Sequence, residues 1–299
     1  MFCKKNGGLI AVIVGVFIAI SVAQRTHAET FEGIDIKVEG KGAAMLFIPG
    51  LNSSSDVFTD TCAAFKSQYR CYRLQLPGFA GQPAISIGDQ GFLITMRNTI
   101  EHYIRTQKLG RVVLVGHSLG GLLSLMIAID QPDMVSRIVI LDSLPFLSAV
   151  QNPNLTAETA KPMAAQMRDA MNNQSLELYT QQATTNIQGM SNNPTRIPTI
   201  ASWGKSSDRT TTTMAMYELM TTDLRESIAT IKTPTLVLGT WAAYKNFGAT
   251  KESTQTIFSL QYAALKGADI RLSETGYHFV MWDDGEWVNQ QMREFLHQK

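Results

Sequence analysis

The stretch Val112–Gly121, VVLVGHSLGG, constrains this chain more than any other. Val112-Val113-Leu114-Val115 reads as a short buried strand, and it runs straight into Gly116-His117-Ser118-Leu119-Gly120. Short apolar strands ordinarily end in solvated turns. This one ends at a serine flanked by glycines, and the apolar segment GLLSLMIAID (Gly121–Asp130) follows at once as a helix. Strand, Gly-x-Ser-x-Gly corner and helix together make a nucleophile elbow, in which a sharp turn lifts the serine Oγ above the end of a sheet. The helix N-terminus behind Ser118 also directs free N–H groups toward negative charge forming near that oxygen. The pattern predicts a serine held for attack.

Similar strand signals recur on both sides of the elbow. AAMLFIPG (Ala43–Gly50), CYRLQLPG (Cys71–Gly78), SRIVILDS (Ser136–Ser143) and TPTLVLGT (Thr233–Thr240) are apolar runs closed by turn residues, and ADIRLSETGYHF supplies another strand. Helical patterns fall between them, over Val57–Ser67, Gly91–Gln107 and the segment GEWVNQQMREFL. Buried strands alternating with helices imply an α/β fold with a mostly parallel central sheet covered on both faces. From Pro145 to Thr222 the chain instead turns rich in Gln, Asn, Thr and Met, with no strand signal. Met163, Met167 and Met171 recur at helical spacing behind Pro162. This predicts an inserted helical cap over 145–222, dividing a core of residues 29–144 and 223–299.

The N-terminus predicts export. Lys4 and Lys5 precede an apolar run from Leu9 to Ala23, too short for the roughly 20 residues of a bilayer span, and Thr26-His27-Ala28 offers a cleavage site. Residues 1–28 are therefore assigned to a signal peptide, with cleavage after Ala23 also compatible, and the mature chain to the periplasm or the medium. Removal of Lys4, Lys5 and Arg25 changes the formal charge from +1 to −2. A near-neutral chain without Lys/Arg clusters has no electrostatic footprint for nucleic acid, and no basic surface for anionic lipid. In an oxidising compartment, Cys62 and Cys71, nine positions apart, are expected to form a disulfide; two buried thiols are the alternative. The sequence shows neither the ligand spacing of a metal site nor a phosphate-binding glycine loop.

A serine nucleophile needs a base. Four histidines remain once residues 1–28 are set aside. His102 lies within a helix, His297 is at the C-terminus, and the elbow turns His117 away from the serine oxygen. His278, in ETGYHFVMWDD, sits in a loop behind the last strand and ahead of the last helix. It is the predicted general base.

With these residues in place, the chain from Gly42 to Leu296 resembles the α/β-hydrolase superfamily, in its capped esterase-like branch. FIPGLNSSSDVF resembles the oxyanion-loop segment, LPGFAG the motif ending the next strand, GHSLGG the elbow, and PTLVLG the strand that precedes the usual triad acid. The resemblance implies an oxyanion hole formed by the backbone N–H groups of Leu51 and Leu119. Without an HExxH motif, a clustered His/Cys set or a phosphate-binding glycine loop, the sequence implies no metal or organic cofactor.

The chain departs from the family pattern in one place. Thr240-Trp241-Ala242-Ala243-Tyr244-Lys245 holds no carboxylate, and Glu252 is the next one along. Some relatives carry the acid on the preceding strand, where Asp142 stands here, and the order Ser118, Asp142, His278 is kept. Asp142 as a mere turn cap stays open; Asp283 and Asp284 are expected to start the last helix.

These readings predict an exported serine hydrolase acting on an ester of a small to medium acyl compound, with an amide as the second choice. Ser118 is its nucleophile, His278 its base and Asp142 its acid. Two rivals remain. One is a binding protein that keeps the fold without turnover. The other is an aminopeptidase, which would need a cap carboxylate such as Glu158, Glu177 or Glu218. A haloalkane dehalogenase is disfavoured, because such enzymes place a carboxylate at the elbow.

Overall fold

The computed structural model describes residues 1–3 and 27–298. Three antiparallel-edge and early strands come first: β1 (His27–Phe31), β2 (Ile34–Gly40) and β3 (Ala43–Ile48). Then follow α1 (Thr59–Phe65), β4 (Tyr69–Gln75), α2 (Phe92–Thr106), β5 (Val112–His117), α3 (Leu119–Asp130) and β6 (Val135–Leu141). Four helices succeed β6: α4 (Ala157–Asn173), α5 (Leu176–Asn186), α6 (Ile197–Ser206) and α7 (Arg209–Thr221). The chain closes with β7 (Thr235–Thr240), α8 (Lys251–Gln261), β8 (Asp269–Ser273), α9 (Val280–Asp283) and α10 (Gly285–His297).

The strands form one eight-stranded sheet in the order β1-β2-β4-β3-β5-β6-β7-β8. Pairing is parallel from β4 through β8, and β2 pairs antiparallel with both β1 and β4. The antiparallel hairpin is absent from the strand signals above. Its second strand, IDIKVEG, alternates apolar and polar residues, and Ile34, Ile36 and Val38 are buried in turn. That period of two was readable in the sequence. β1 starts at His27, so cleavage after Ala28 would remove two residues paired with Val38 and Lys37, whereas cleavage after Ala23 would leave them. The apolar run Leu9–Ala23 lies outside the described residues.

Side chains of the central strands feed two cores in alternation, as the period of a strand requires. Leu46 and Ile48 of β3, Leu114 of β5 and Ile138 and Ile140 of β6 pack on one face with α2 and α3. Met45, Phe47, Val113, Val115, Val139 and Leu141 pack on the other with α1 and α10. With both faces covered, the strands read as continuous apolar runs. The chain runs from β3 to β4 on one side, then returns so that β5 lies on the other side of β3. Open parallel sheets bind ligands outside the strands' carboxyl ends at such a reversal.

The segment after β6 touches the loops at those carboxyl ends through α7 and through the links before and after α6. Thr212 Oγ1 bonds to Asn52 Oδ1 behind β3 at 2.6 Å, and Ser207 Oγ accepts from the Ala80 N–H behind β4 at 2.9 Å. Behind β8, the Phe279 N–H donates to Met190 O at 3.0 Å. From α7, Glu218 reaches the start of α2, where its carboxylate accepts the N–H groups of Phe92 and Leu93, each at 2.8 Å.

The disulfide expected between Cys62 and Cys71 is not formed. Both are free, buried thiols. Cys71 Sγ turns toward the Cys62 carbonyl oxygen, 3.6 Å away, and hydrogen-bonds there. An apolar pocket between α1 and β4 thus takes both sulfurs as small hydrophobes, the role free cysteines commonly fill in cores.

Candidate active site

The neighbouring strands β5 and β6 carry Ser118 and Asp142 to the same carboxyl end of the sheet. The Ser118 N–H donates to Leu141 O at 3.0 Å, extending the β5–β6 ladder, and the Asp142 N–H donates to Leu238 O at 2.8 Å, extending β6–β7. Both residues then turn out of the ladder with positive φ, 52° at Ser118 and 43° at Asp142. A side chain bearing a Cβ rarely adopts this conformation, and such strain persists only where the surroundings over-determine it. At the elbow they do. A Cβ on Gly116 would fall 2.2 Å from Gly120 O, and one on Gly120 would fall 2.0 Å from Ile48 O. Only glycine at both positions lets α3 start this close beneath Ser118.

His278 follows β8 on a loop, and the structure brings it to Asp142. Its Nδ1 lies 2.7 Å from Asp142 Oδ2. The other carboxylate oxygen, Oδ1, accepts the Thr240 N–H at 2.9 Å. Thr240 ends β7, where the usual acid loop begins, and here the backbone of that position orients an acid contributed by the adjacent strand. This bond is invisible in the sequence, because it depends on β6 and β7 being neighbours. With Nδ1 facing a carboxylate, Nε2 is the nitrogen left to accept a proton. The Ser118 hydroxyl is not hydrogen-bonded to His278 here; in unliganded sites such catalytic bonds are often long and tighten with substrate.

Glu252, the other candidate acid, is exposed in the first turn of α8. Asp284 stands at the start of α10, as expected, without a side-chain cap, whereas Asp283 belongs to α9. Asp283 ends α9, and its carboxylate accepts the N–H groups of Tyr277 at 3.0 Å and Asn192 at 3.1 Å, and the Ser191 hydroxyl. Asp284 caps α10 through its carbonyl alone, while its carboxylate accepts from Ser273 Oγ at 2.7 Å. The demand for acceptors in the tight Ser273–His278 loop outweighs the pull of the helix terminus. Both acids hold the loop that carries His278.

Leu51 follows β3 and Leu119 opens α3. Neither N–H meets an acceptor among the described residues, so both are free for a ligand oxygen. The two segments touch: a Cβ on Gly50 would lie 3.0 Å from Ser118 Cβ. His117, set aside as pointing away from the serine oxygen, is fully buried, and its ring packs on that of His278 with centroids 4.6 Å apart. No group of three or more His, Cys, Asp or Glu side chains among the described residues is placed to hold a metal ion.

The model of the Alpha/beta hydrolase family matches residues 45–291. An (E)-2-((N-methylformamido)methylene)succinate hydrolase of Acinetobacter baylyi is 26% identical over 106 residues, 36% of this chain and 40% of that protein. The match thus spans well under half of the relative's length. Among solved structures, a hydrolase from Pseudomonas aeruginosa PA01 superimposes with a TM-score of 0.74 at 15% identity, covering 92% of this chain and all of that one. The esterase EaEST from Exiguobacterium antarcticum gives 0.72 at 16% identity over the same share of both chains. At these identities the structural likeness shows the fold alone.

Proposed function

The chain belongs to the alpha/beta hydrolase family, and from that premise we propose that it is an exported serine hydrolase cleaving a carboxylic ester through a Ser118–His278–Asp142 triad. The observation that carries this reading is the Nδ1–Oδ2 contact of 2.7 Å between His278 and Asp142, behind a serine on a strained elbow. Ser118 Oγ attacks the ester carbonyl as its proton passes to His278 Nε2. Asp142 keeps the imidazole in the Nδ1–H tautomer and stabilises the imidazolium. The Leu51 and Leu119 N–H groups bind the oxyanion, each contributing about 3 kcal/mol in comparable sites. Collapse of the tetrahedral adduct releases the alcohol, protonated by His278, and leaves an acyl-enzyme. Water activated by His278 then attacks the acyl carbonyl and frees Ser118.

An ester is favoured over an amide because nothing in the site singles out an amine leaving group. The aminopeptidase alternative loses one candidate, since both oxygens of Glu218 are engaged by the Phe92 and Leu93 N–H groups. The test is turnover of a panel of esters, amides and lactones by the purified protein beside Ser118→Ala. The reading expects ester hydrolysis that the variant loses; ester hydrolysis retained by the variant within tenfold contradicts it.

A further inference from the structure

His117 has no part in the proton relay, yet it is 1% exposed and its ring packs on that of His278. Its Nε2 stands 2.9 Å from the backbone carbonyl oxygen of His278. A carbonyl only accepts, so Nε2 carries the proton and the ring is the Nε2–H tautomer. Nδ1 is then a bare lone pair, buried and without a partner among the described residues. The oxyanion loop closes over it: a Cβ on Gly50 would come within 2.9 Å of Nδ1. The rings of His278 and Phe279 cover the imidazole at centroid distances of 4.6 and 5.0 Å. A second proton, on Nδ1, would be a buried donor with no acceptor. Burial and the adjacent His278 accordingly hold His117 well below the ordinary histidine range, in its neutral form.

His278 is therefore held at two points. Asp142 fixes its ring, and His117 fixes its backbone. Because His117 precedes Ser118 in the chain, its bond ties the backbone of the base to that of the nucleophile with no intervening element. We propose that His117 is a positioning residue that sets the reach from Ser118 to His278. A shift of about 1 Å between reacting groups can cost up to ~100-fold in rate.

This inference rests on the serine hydrolase reading. The experiment compares kcat and KM of the wild type, His117→Phe, which keeps a ring without a donor, and His117→Gln, whose amide can donate from about the same place. His117→Phe should lose about 10- to 100-fold in kcat with KM changed by less than about threefold, and His117→Gln should recover most of the loss. An active wild type with an equally active His117→Phe overturns the proposal, as does equal loss in both variants. A wild type that neither hydrolyses esters nor is labelled at Ser118 counts instead against the hydrolase reading. The tautomer is read without any variant, by nitrogen-15 NMR of the histidine rings in the wild type. His117 should remain neutral and protonated on Nε2 from pH 6 to 8, and an Nδ1–H or doubly protonated ring there overturns the proposal.

Discussion

Asp142 Oδ2 and His278 Nδ1 meet at 2.7 Å, although 136 positions separate them in the chain. Asp142→Asn keeps the shape of the acid but offers His278 an amide, which favours the wrong tautomer. The variant should lower kcat by roughly 10³–10⁴ with KM little changed. Glu252→Gln, at an exposed position, should leave both constants near wild type. A mild Asp142→Asn beside a crippled Glu252→Gln would place the acid elsewhere.

Glu218 joins α7 to α2 by accepting two N–H groups at the start of the latter. Free N–H groups at a helix start are costly when buried without an acceptor. Glu218→Ala should therefore cost about 2 kcal/mol in urea unfolding, and Glu218→Gln, which keeps one acceptor oxygen, less. An unchanged midpoint in Glu218→Ala would show that water replaces the carboxylate there.

Part of the candidate site is legible in the sequence. Gly116, Gly120 and the flanking apolar runs mark the elbow because close packing admits nothing larger. Elimination among the histidines points to His278, and the resemblance to relatives with the acid on the preceding strand points to Asp142. What stayed hidden depends on tertiary neighbours. The Thr240 N–H orients Asp142 only because β6 pairs with β7, and the partners of Asp283 come from Asn192 and Tyr277, distant from one another in the chain. The β1–β2 hairpin carries no long apolar run, because β2 is buried on one face only and its residues alternate instead of forming the continuous apolar signal of the central strands. Cys62 and Cys71 suggested a bond on spacing and compartment, whereas their side chains fill a core.

Both of those thiols should be alkylated by iodoacetamide without reductant, once the protein is unfolded in guanidinium. In the folded protein both should resist, being no more than 1% exposed. Intact mass distinguishes the two states. A mass two units low that rises only after reduction would contradict the free-thiol structure.

Glu101 predicts a dependence of stability on pH. Its carboxyl is raised from the ordinary 4.5 to about 7, first by burial and then by Asp130, with Arg97 and Arg105 opposing. Its Oε1 has no hydrogen-bond partner. A raised carboxyl means that folding favours the protonated form. Its contribution is fully present below about pH 4.5 and is lost as pH rises through about 7. Glu101→Gln should therefore be more stable than wild type at pH 8, by on the order of 1 kcal/mol after allowance for solvent screening, with the difference shrinking toward pH 5. A difference that does not vary between these pH values would contradict this assignment.

The central claim is that Ser118 is an activated nucleophile. The most direct measurement is covalent labelling of the folded protein with a fluorophosphonate, with the modified residue located by peptide mass spectrometry. Labelling requires the elbow, the base and the oxyanion donors to act together, but no knowledge of the natural substrate. One adduct is expected, on Ser118, absent in Ser118→Ala and strongly slowed in His278→Ala. A folded wild type left unlabelled, or labelled at another residue, would contradict the claim.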